Sequence, residues 1–465
     1  MVEFIDIPLE LLPVIFDSVV RPHHLTSLCL VNKSFNEFAI PRLYQRVYIY
    51  AWHTEATSKI FLLFQTLSSC PGLARYVSRL EIRVFPKALS SSSHSDLLDL
   101  CIQGIRNCVN LRSCAWTRDG SLESATLQAL QKCPQLKELE INGHDSGYYD
   151  PWILPQFSKL SSISLIMPSV RVIEVLPSWI STTGSTLRNL NIVCKTSSLI
   201  TDTLLESLAP NMTELDQLFL TGCPKVTHRG IAELVSTNRN GLTGIGLEGL
   251  SPAFDMTRFN SICKEYRAFR RLKSITLAVH VETLLQTWMI DVTELLSTAP
   301  LEILRIYATT TIFKAAITDE FWKTIVTIHG SRLKRFSIHQ MTISLDALRD
   351  ICSRCSVLEQ LFVFAARHDL DDVARCFATA QNLRTIHVYF YHEVNEMEEP
   401  GSMMNDALRI VRQCPATVTQ IGCDTRVWDV KREVRMNDKA ELYTEPILTR
   451  YENTDIPEQF LVIRA

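Results

Sequence analysis

The feature that most constrains this chain is a short apolar frame that recurs along most of its length. In CPQLKELEI, Leu136, Leu139 and Ile141 occupy positions 1, 4 and 6. The frame begins again at Val77, Leu111, Leu160, Leu187, Leu215, Leu242, Leu272, Leu301, Leu333, Leu358, Leu383 and Val418, giving thirteen copies whose starts lie 24 to 35 residues apart. Between copies run amphipathic stretches such as SLESATLQALQKC, TDTLLESLAP and LDDVARCFATA, often closed by Pro, Gly or Asn before the next copy. Each unit therefore reads as strand, turn, helix. So small a unit cannot bury its apolar face alone, so neighbours must stack, with positions 1, 4 and 6 forming a continuous core. The expected fold is an α/β solenoid with an inner parallel sheet and outer helices, curved into an arc or horseshoe. A non-repetitive α/β fold with leucine-rich strands is the competing reading, and thirteen matches at similar spacing argue against it.

A mean spacing of about 28 residues falls at the upper end of leucine-rich repeats. One unit is sharper than the rest. LDQLFLTGCPKVTHRGIAELV, residues 215 to 235, resembles the cysteine-containing leucine-rich repeat at Leu215, Leu218, Leu220, Cys223, Val226, Thr227, Gly230, Ile231 and Leu234, with His228 where that family usually has Asp. His144, Pro168 and Lys195 hold the Cys or Asn position in neighbouring units, so an irregular stack is expected. The solenoid is placed at residues 48–425, in about 13 irregular units. Residues 426–465 lose the frame; RVWDVKREV, a polar turn at Asn437-Asp438 and ELYTEPIL predict a C-terminal cap in the form of an irregular hairpin.

The N-terminus is of a different kind. In IDIPLELLPVIFDSVV, residues 5 to 20, Glu10 and Asp17 fall with Arg21 on one narrow polar stripe, and large apolar residues cover the remaining surface. Glu3, Asp6 and Glu10 contradict the basic leader of a signal peptide, so export is not expected. Pro8 suits the first helical position and Pro13 should bend or shorten the helix. Two more helices are predicted from LTSLCLVNKSF and FAIPRLYQ, with a break at Pro41. Residues 7 to 47 together resemble an F-box at Ile7, Pro8, Glu10, Leu11, Leu12, Ile15, Phe16, Leu25, Leu28, Cys29, Val31, Lys33, Phe35, Leu43 and Tyr44. Ile7 stands for the usual Leu, and Phe35 for the common Trp. The layout of F-box, degenerate repeats and short C-terminal cap is similar to fungal F-box proteins of the leucine-rich type.

That resemblance implies a small all-α domain at 1–47 docking to the Skp linker subunit, and through it to cullin, of an SCF ubiquitin ligase. The docking residues it implies are Pro8, Leu9, Leu12, Ile15, Phe16, Leu28, Val31 and Phe35. The alternative is a helical cap on a leucine-rich scaffold with no ubiquitin-ligase link, since solenoids need capped ends. Target-binding residues are sought at frame positions 3 and 5, which point away from the leucine core because strand side chains alternate. Phe219, Arg305, Arg335, Phe362 and His387 are the large residues there, of the types that anchor interfaces. The opposing expectation is that Phe219 and Phe362 fold sideways onto neighbouring strands.

Catalysis finds little support. GLTGIGLEGL carries a GxGxxG, but Gly244 and Gly246 lie on the repeat strand instead of at a helix N-terminus. No Walker loop, HExxH or GxSxG occurs. Cys352 and Cys355 form a CxxC with no second pair of ligands at comparable spacing. The histidines show no metal spacing; His387 and His392 flank a strand. A chain with no enzymatic activity and no cofactor is expected. The 14 single cysteines suit reduced thiols of the cytoplasm or nucleus. A net charge of -3 gives no reason to expect nucleic acid, and no run of 18 apolar residues predicts a membrane span. An unknown protein target on the repeats is the expected partner.

Overall fold

A computed structural model describes residues 9–19, 21–86, 91–280, 283–312, 315–391, 402–436 and 442–451. Three short helices come first: α1 (Leu12–Asp17), α2 (Pro22–Cys29) and α3 (Lys33–Gln45). Pro13 sits in the first turn of α1, where its missing N–H costs nothing, and a 3₁₀ turn at Leu9–Leu11 precedes it. The break predicted at Pro41 lies elsewhere. α2 ends at Cys29, Asn32 caps α3 by accepting the Phe35 N–H at 2.9 Å, and α3 runs through Pro41. Pro41 deprives the Glu37 carbonyl of a donor, and Glu37 is exposed, so water can serve it.

The chain divides into two compact units. The first holds β1 (Arg46–Ile49), β2 (Arg79–Ile82), β3 (Ser113–Trp116), β4 (Glu138–Asn142), β5 (Ser162–Ile166) and β6 (Asn189–Val193), each pairing in parallel with the next. The second holds β7 (Gln217–Thr221), β8 (Gly244–Glu248), β9 (Ser274–Val279), β10 (Ile303–Ile312), β11 (Arg335–Thr342), β12 (Gln360–Ala366), β13 (Thr385–Tyr391) and β14 (Gln420–Cys423), again parallel in chain order. β15 (Arg426–Met436) and β16 (Leu442–Arg450) then add on as an antiparallel hairpin. Helices link consecutive parallel strands, as a strand that returns in the same direction requires.

The leucine ladder produces this order. Every position 1, 4 and 6 of the thirteen frames is 5% exposed or less, and each large side chain so buried contributes about 1.5–3 kcal/mol. All thirteen frames lie on strands β2 to β14. β1 is an additional strand: α3 leads directly into it, and the boundary expected at residue 47 falls within it. Its frame is YQRVYI, with Tyr44 in place of the leading Leu. At the other end Arg432 of β15 donates to the carbonyls of Pro415 and Val418 at 2.8 and 3.0 Å, fastening the hairpin over the last repeat strand. The predicted turn at Asn437-Asp438 lies outside the described residues.

Candidate protein-interaction surfaces

The N-terminal helices divide the implied docking residues into two sets. Leu12, Phe16 and Phe35 form, with Ala39, a small core in which the Phe16 and Phe35 rings meet edge to face at 5.3 Å. Leu12 and Phe16 are each 2% exposed, so a partner cannot reach them without unfolding the helices. Leu28 packs half-buried against the same core. Ile15 and Val31 are exposed, and with them Leu11, Val14 and Leu30, which the docking set did not include. Leu30 is 83% exposed. The split follows from a helix only six residues long: it has one inward stripe, filled by Leu12 and Phe16, and everything between them faces out. Pro8 lies outside the described residues; Leu9 belongs to the 3₁₀ turn.

In the second unit the sheet register sets one row of position-5 residues side by side: Phe219, Gly246, Thr276, Arg305, Ser337, Phe362, His387 and Gly422. Large and small residues alternate along much of it, and the large ones lie along the row. The Phe219 ring covers Gly246. Arg305 reaches back to the hydroxyls of Ser274 and Thr276 at 3.5 and 3.4 Å. Arg335 stacks over the Phe362 ring at 4.4 Å, Phe362 lies parallel to His387 at 5.8 Å, and the His387 ring covers Gly422. His387, sought as an exposed anchor, is 1% exposed, and Phe362, for which both an exposed anchor and a sideways fold were expected, is 6% exposed. The expectation of exposure is corrected by the row itself, since each ring finds its burial on a neighbouring strand. Phe219, Arg305 and Arg335 remain half-exposed.

A second row stands beside the first where β10 to β13 lengthen to between 7 and 10 residues. Tyr307, His339, Phe364 and Tyr389 occupy it, with His339 4.4 Å from Tyr389 and 6.2 Å from Tyr307, centre to centre. Tyr391 closes on Phe364 at 5.2 Å. These residues fall past position 6, beyond the frame by which the repeats were recognised, although the run HVYFY signalled a strand longer than its neighbours.

The first unit presents charge instead. Glu81, 1% exposed, receives Arg46 and Arg79 at 2.8 Å each and the Tyr50 hydroxyl at 3.1 Å, and Arg83 bridges from it to Glu140. Burial, and then the Glu81 charge, raise the Tyr50 hydroxyl well above the usual tyrosine range, so it is a donor to that carboxylate. The buried Glu81 charge is matched by guanidinium groups, as burial demands.

The remaining sequence features are placed in the core. Cys352 and Cys355 are buried thiols, Cys355 pushed up by burial to about 12. Gly244 and Gly246 are within β8. Among the described residues, no group of three or more His, Cys, Asp or Glu is arranged to hold a metal ion, and no helix is long and apolar enough to cross a membrane. His392 lies outside the described residues.

Strand, turn and helix repeated on a leucine ladder define the chain as a leucine-rich repeat solenoid. No family model and no curated protein matches its sequence. Among solved structures it is similar to the leucine-rich repeat-containing protein LegL7 from Legionella pneumophila, at 10% identity and a TM-score of 0.42, over 65% of this chain and 97% of that one. It is also similar to a chain in the Rad7 and Elc1 complex of yeast, at 15% identity and a TM-score of 0.39, over 82% of this chain and 92% of that one.

Proposed function

We propose that this chain is a non-catalytic substrate-recognition subunit of an SCF ubiquitin ligase. The N-terminal helices dock to the Skp linker, and the repeats hold a target protein for ubiquitin delivered elsewhere in the complex. The chain's contribution is then positioning, not chemistry. The observation that carries the reading is the exposure of Leu11, Val14, Ile15, Leu30 and Val31 on helices that follow the F-box pattern and already own a closed core. Left in water, each such side chain forgoes about 1.5–3 kcal/mol of burial. A protein partner restores it. The target surface in this reading is the half-exposed set Phe219, Arg305 and Arg335 with His339, Tyr389 and Tyr391 of the second row.

The test is co-purification with the Skp linker. Ile15→Asp combined with Val31→Asp changes only exposed positions, so the circular dichroism spectrum should stay that of the wild type while linker affinity falls about tenfold or more. Leu12→Asp is unsuitable, because loss of binding would follow from collapse of the Leu12, Phe16 and Phe35 core. Wild-type chain that fails to bind, or a double variant that binds normally, removes the reading. A scaffold whose N-terminal helices serve as an end cap is the second reading, favoured by the direct passage of α3 into β1. It predicts that the double variant changes nothing.

A further inference from the structure

A cavity of about 290 Å³ opens between two neighbouring repeats of the second unit. Its floor comes from Leu247 of β8 and Leu277 of β9, and its walls from the Met256–Glu265 and Leu285–Leu296 helices. One wall is Trp288, 6% exposed. Among the described residues one carboxylate, Asp291, lines this space beside hydroxyl-bearing Ser251, Thr257, Thr283 and Thr287, and it is only 7% exposed. Its Oδ2 accepts the Thr257 hydroxyl at 2.6 Å. Oδ1 accepts no hydrogen bond from the described residues and is not among the buried unpartnered atoms, so water reaches it in the cavity that Asp291 lines. Among the described residues no lysine or arginine lines the space. A second acceptor lies on the same lining. The Nε2 of His280 sits 3.1 Å from the Leu250 carbonyl, which can only accept, so Nε2 holds the proton and Nδ1 is the acceptor in the neutral ring.

We propose that this cavity is a binding site for a small organic ammonium ion. A carboxylate recessed beside an aromatic wall, with one oxygen met only by water, favours a cation that donates to it in place of that water. The ammonium donates to Asp291 Oδ1 and His280 Nδ1, and an apolar body rests on Leu247, Leu277 and the Trp288 ring. The volume lies at the low end of small-molecule sites, so the body is about as large as one aromatic ring. A neutral alcohol supplies one donor and no charge. An anion meets Asp291 head on.

The proposal is tested on the full chain by isothermal titration with three probes of matched size: phenethylamine, 2-phenylethanol and 3-phenylpropanoate. Phenethylamine should bind one per chain, the alcohol at least about tenfold more weakly and the carboxylate not at all. Asp291→Asn should weaken the amine by about tenfold or more. Because that variant also touches the Thr257 contact, a second one is needed. Thr287→Trp fills the mouth from an exposed helical position and should abolish amine binding while leaving the melting temperature unchanged. Absence of amine binding at millimolar concentration, equal affinity for amine and alcohol, or amine binding that survives both substitutions overturns the assignment.

Discussion

His329 shows how far burial can move one residue. It ends the Ala315–His329 helix, its side chain is fully buried, and neither ring nitrogen has a hydrogen-bond partner among the described residues. A helix C-terminus favours a protonated histidine by a fraction of a kcal/mol to about 2 kcal/mol. Here burial wins, helped by Arg332, and the ring is held down from 6.5 to about 4. The unfolded chain therefore takes up this proton first as pH falls. Its contribution to stability is complete above about pH 6.5 and is lost as pH falls towards 4. His329→Leu should remove this sensitivity: in urea unfolding the variant gains on the wild type as pH is lowered, by at most about 1.4 kcal/mol per pH unit between those values. At pH 7 it should be no less stable, since two unsatisfied nitrogens are gone. A second residue-scale case is Phe219 on Gly246. A methyl group at Gly246 would overlap that ring and no other group so closely. Gly246→Ala should cost about 1–3 kcal/mol, and in a Phe219→Ala background it should cost little; a cycle of denaturation curves reads the coupling.

At the scale of elements, neighbouring repeats are joined through their helix starts. Asp202 opens the Asp202–Leu208 helix and accepts the N–H groups of Thr227 and Gly230 at 2.8 and 3.1 Å, with the Thr227 hydroxyl at 2.6 Å. One repeat on, His228 holds the equivalent place, and its Nδ1 receives the Asp255 N–H at 3.3 Å. The departure at His228 from the usual Asp thus keeps the acceptor and gives up the charge. Asp202→Ala should therefore destabilise by about 1.5–3 kcal/mol, the worth of bonds to a charged group, with Asp202→Asn between; thermal unfolding of the three proteins checks the order. The N-terminal helices were legible only in outline. Their number and apolar character can be read from the residues, but a proline looked like a stop where the chain tolerates it at Pro41, and Asn32, whose side chain makes the true start of α3, looked like part of a helix.

Over the whole molecule, the repeats were readable because burial imposes the same three positions thirteen times, and a period survives heavy degeneration of any one copy. β1 escaped because its leading position is Tyr44, which also fits the end of the F-box pattern. The burial of His387, and the choice between the two expectations for Phe362, escaped for another reason: whether a ring on a strand faces solvent is decided by the residue beside it on the next strand, about 25 to 35 positions away in sequence. The same packing governs the thiols. Of 14 cysteines only Cys70 is exposed, Cys29 and Cys414 are half-buried, and burial raises thiols such as Cys108 and Cys414 to about 12. Native protein should present one fast-reacting thiol to Ellman's reagent and all 14 after denaturation; a larger native count would mean that the repeats open.

The lengthening of β10 to β13 has a bearing on how such a chain can change its partner. Position-5 residues are hemmed in by their neighbours, so replacing one disturbs the ring or glycine beside it. The outer tyrosines and histidine stand past the last ladder position and share no face with the leucines. Substitutions at the half-exposed His339, Tyr389 and Tyr391 change ring contacts within that row and leave the leucine ladder in place. That ledge is where selection, or a protein engineer, can reshape the exposed face without replacing a ladder residue.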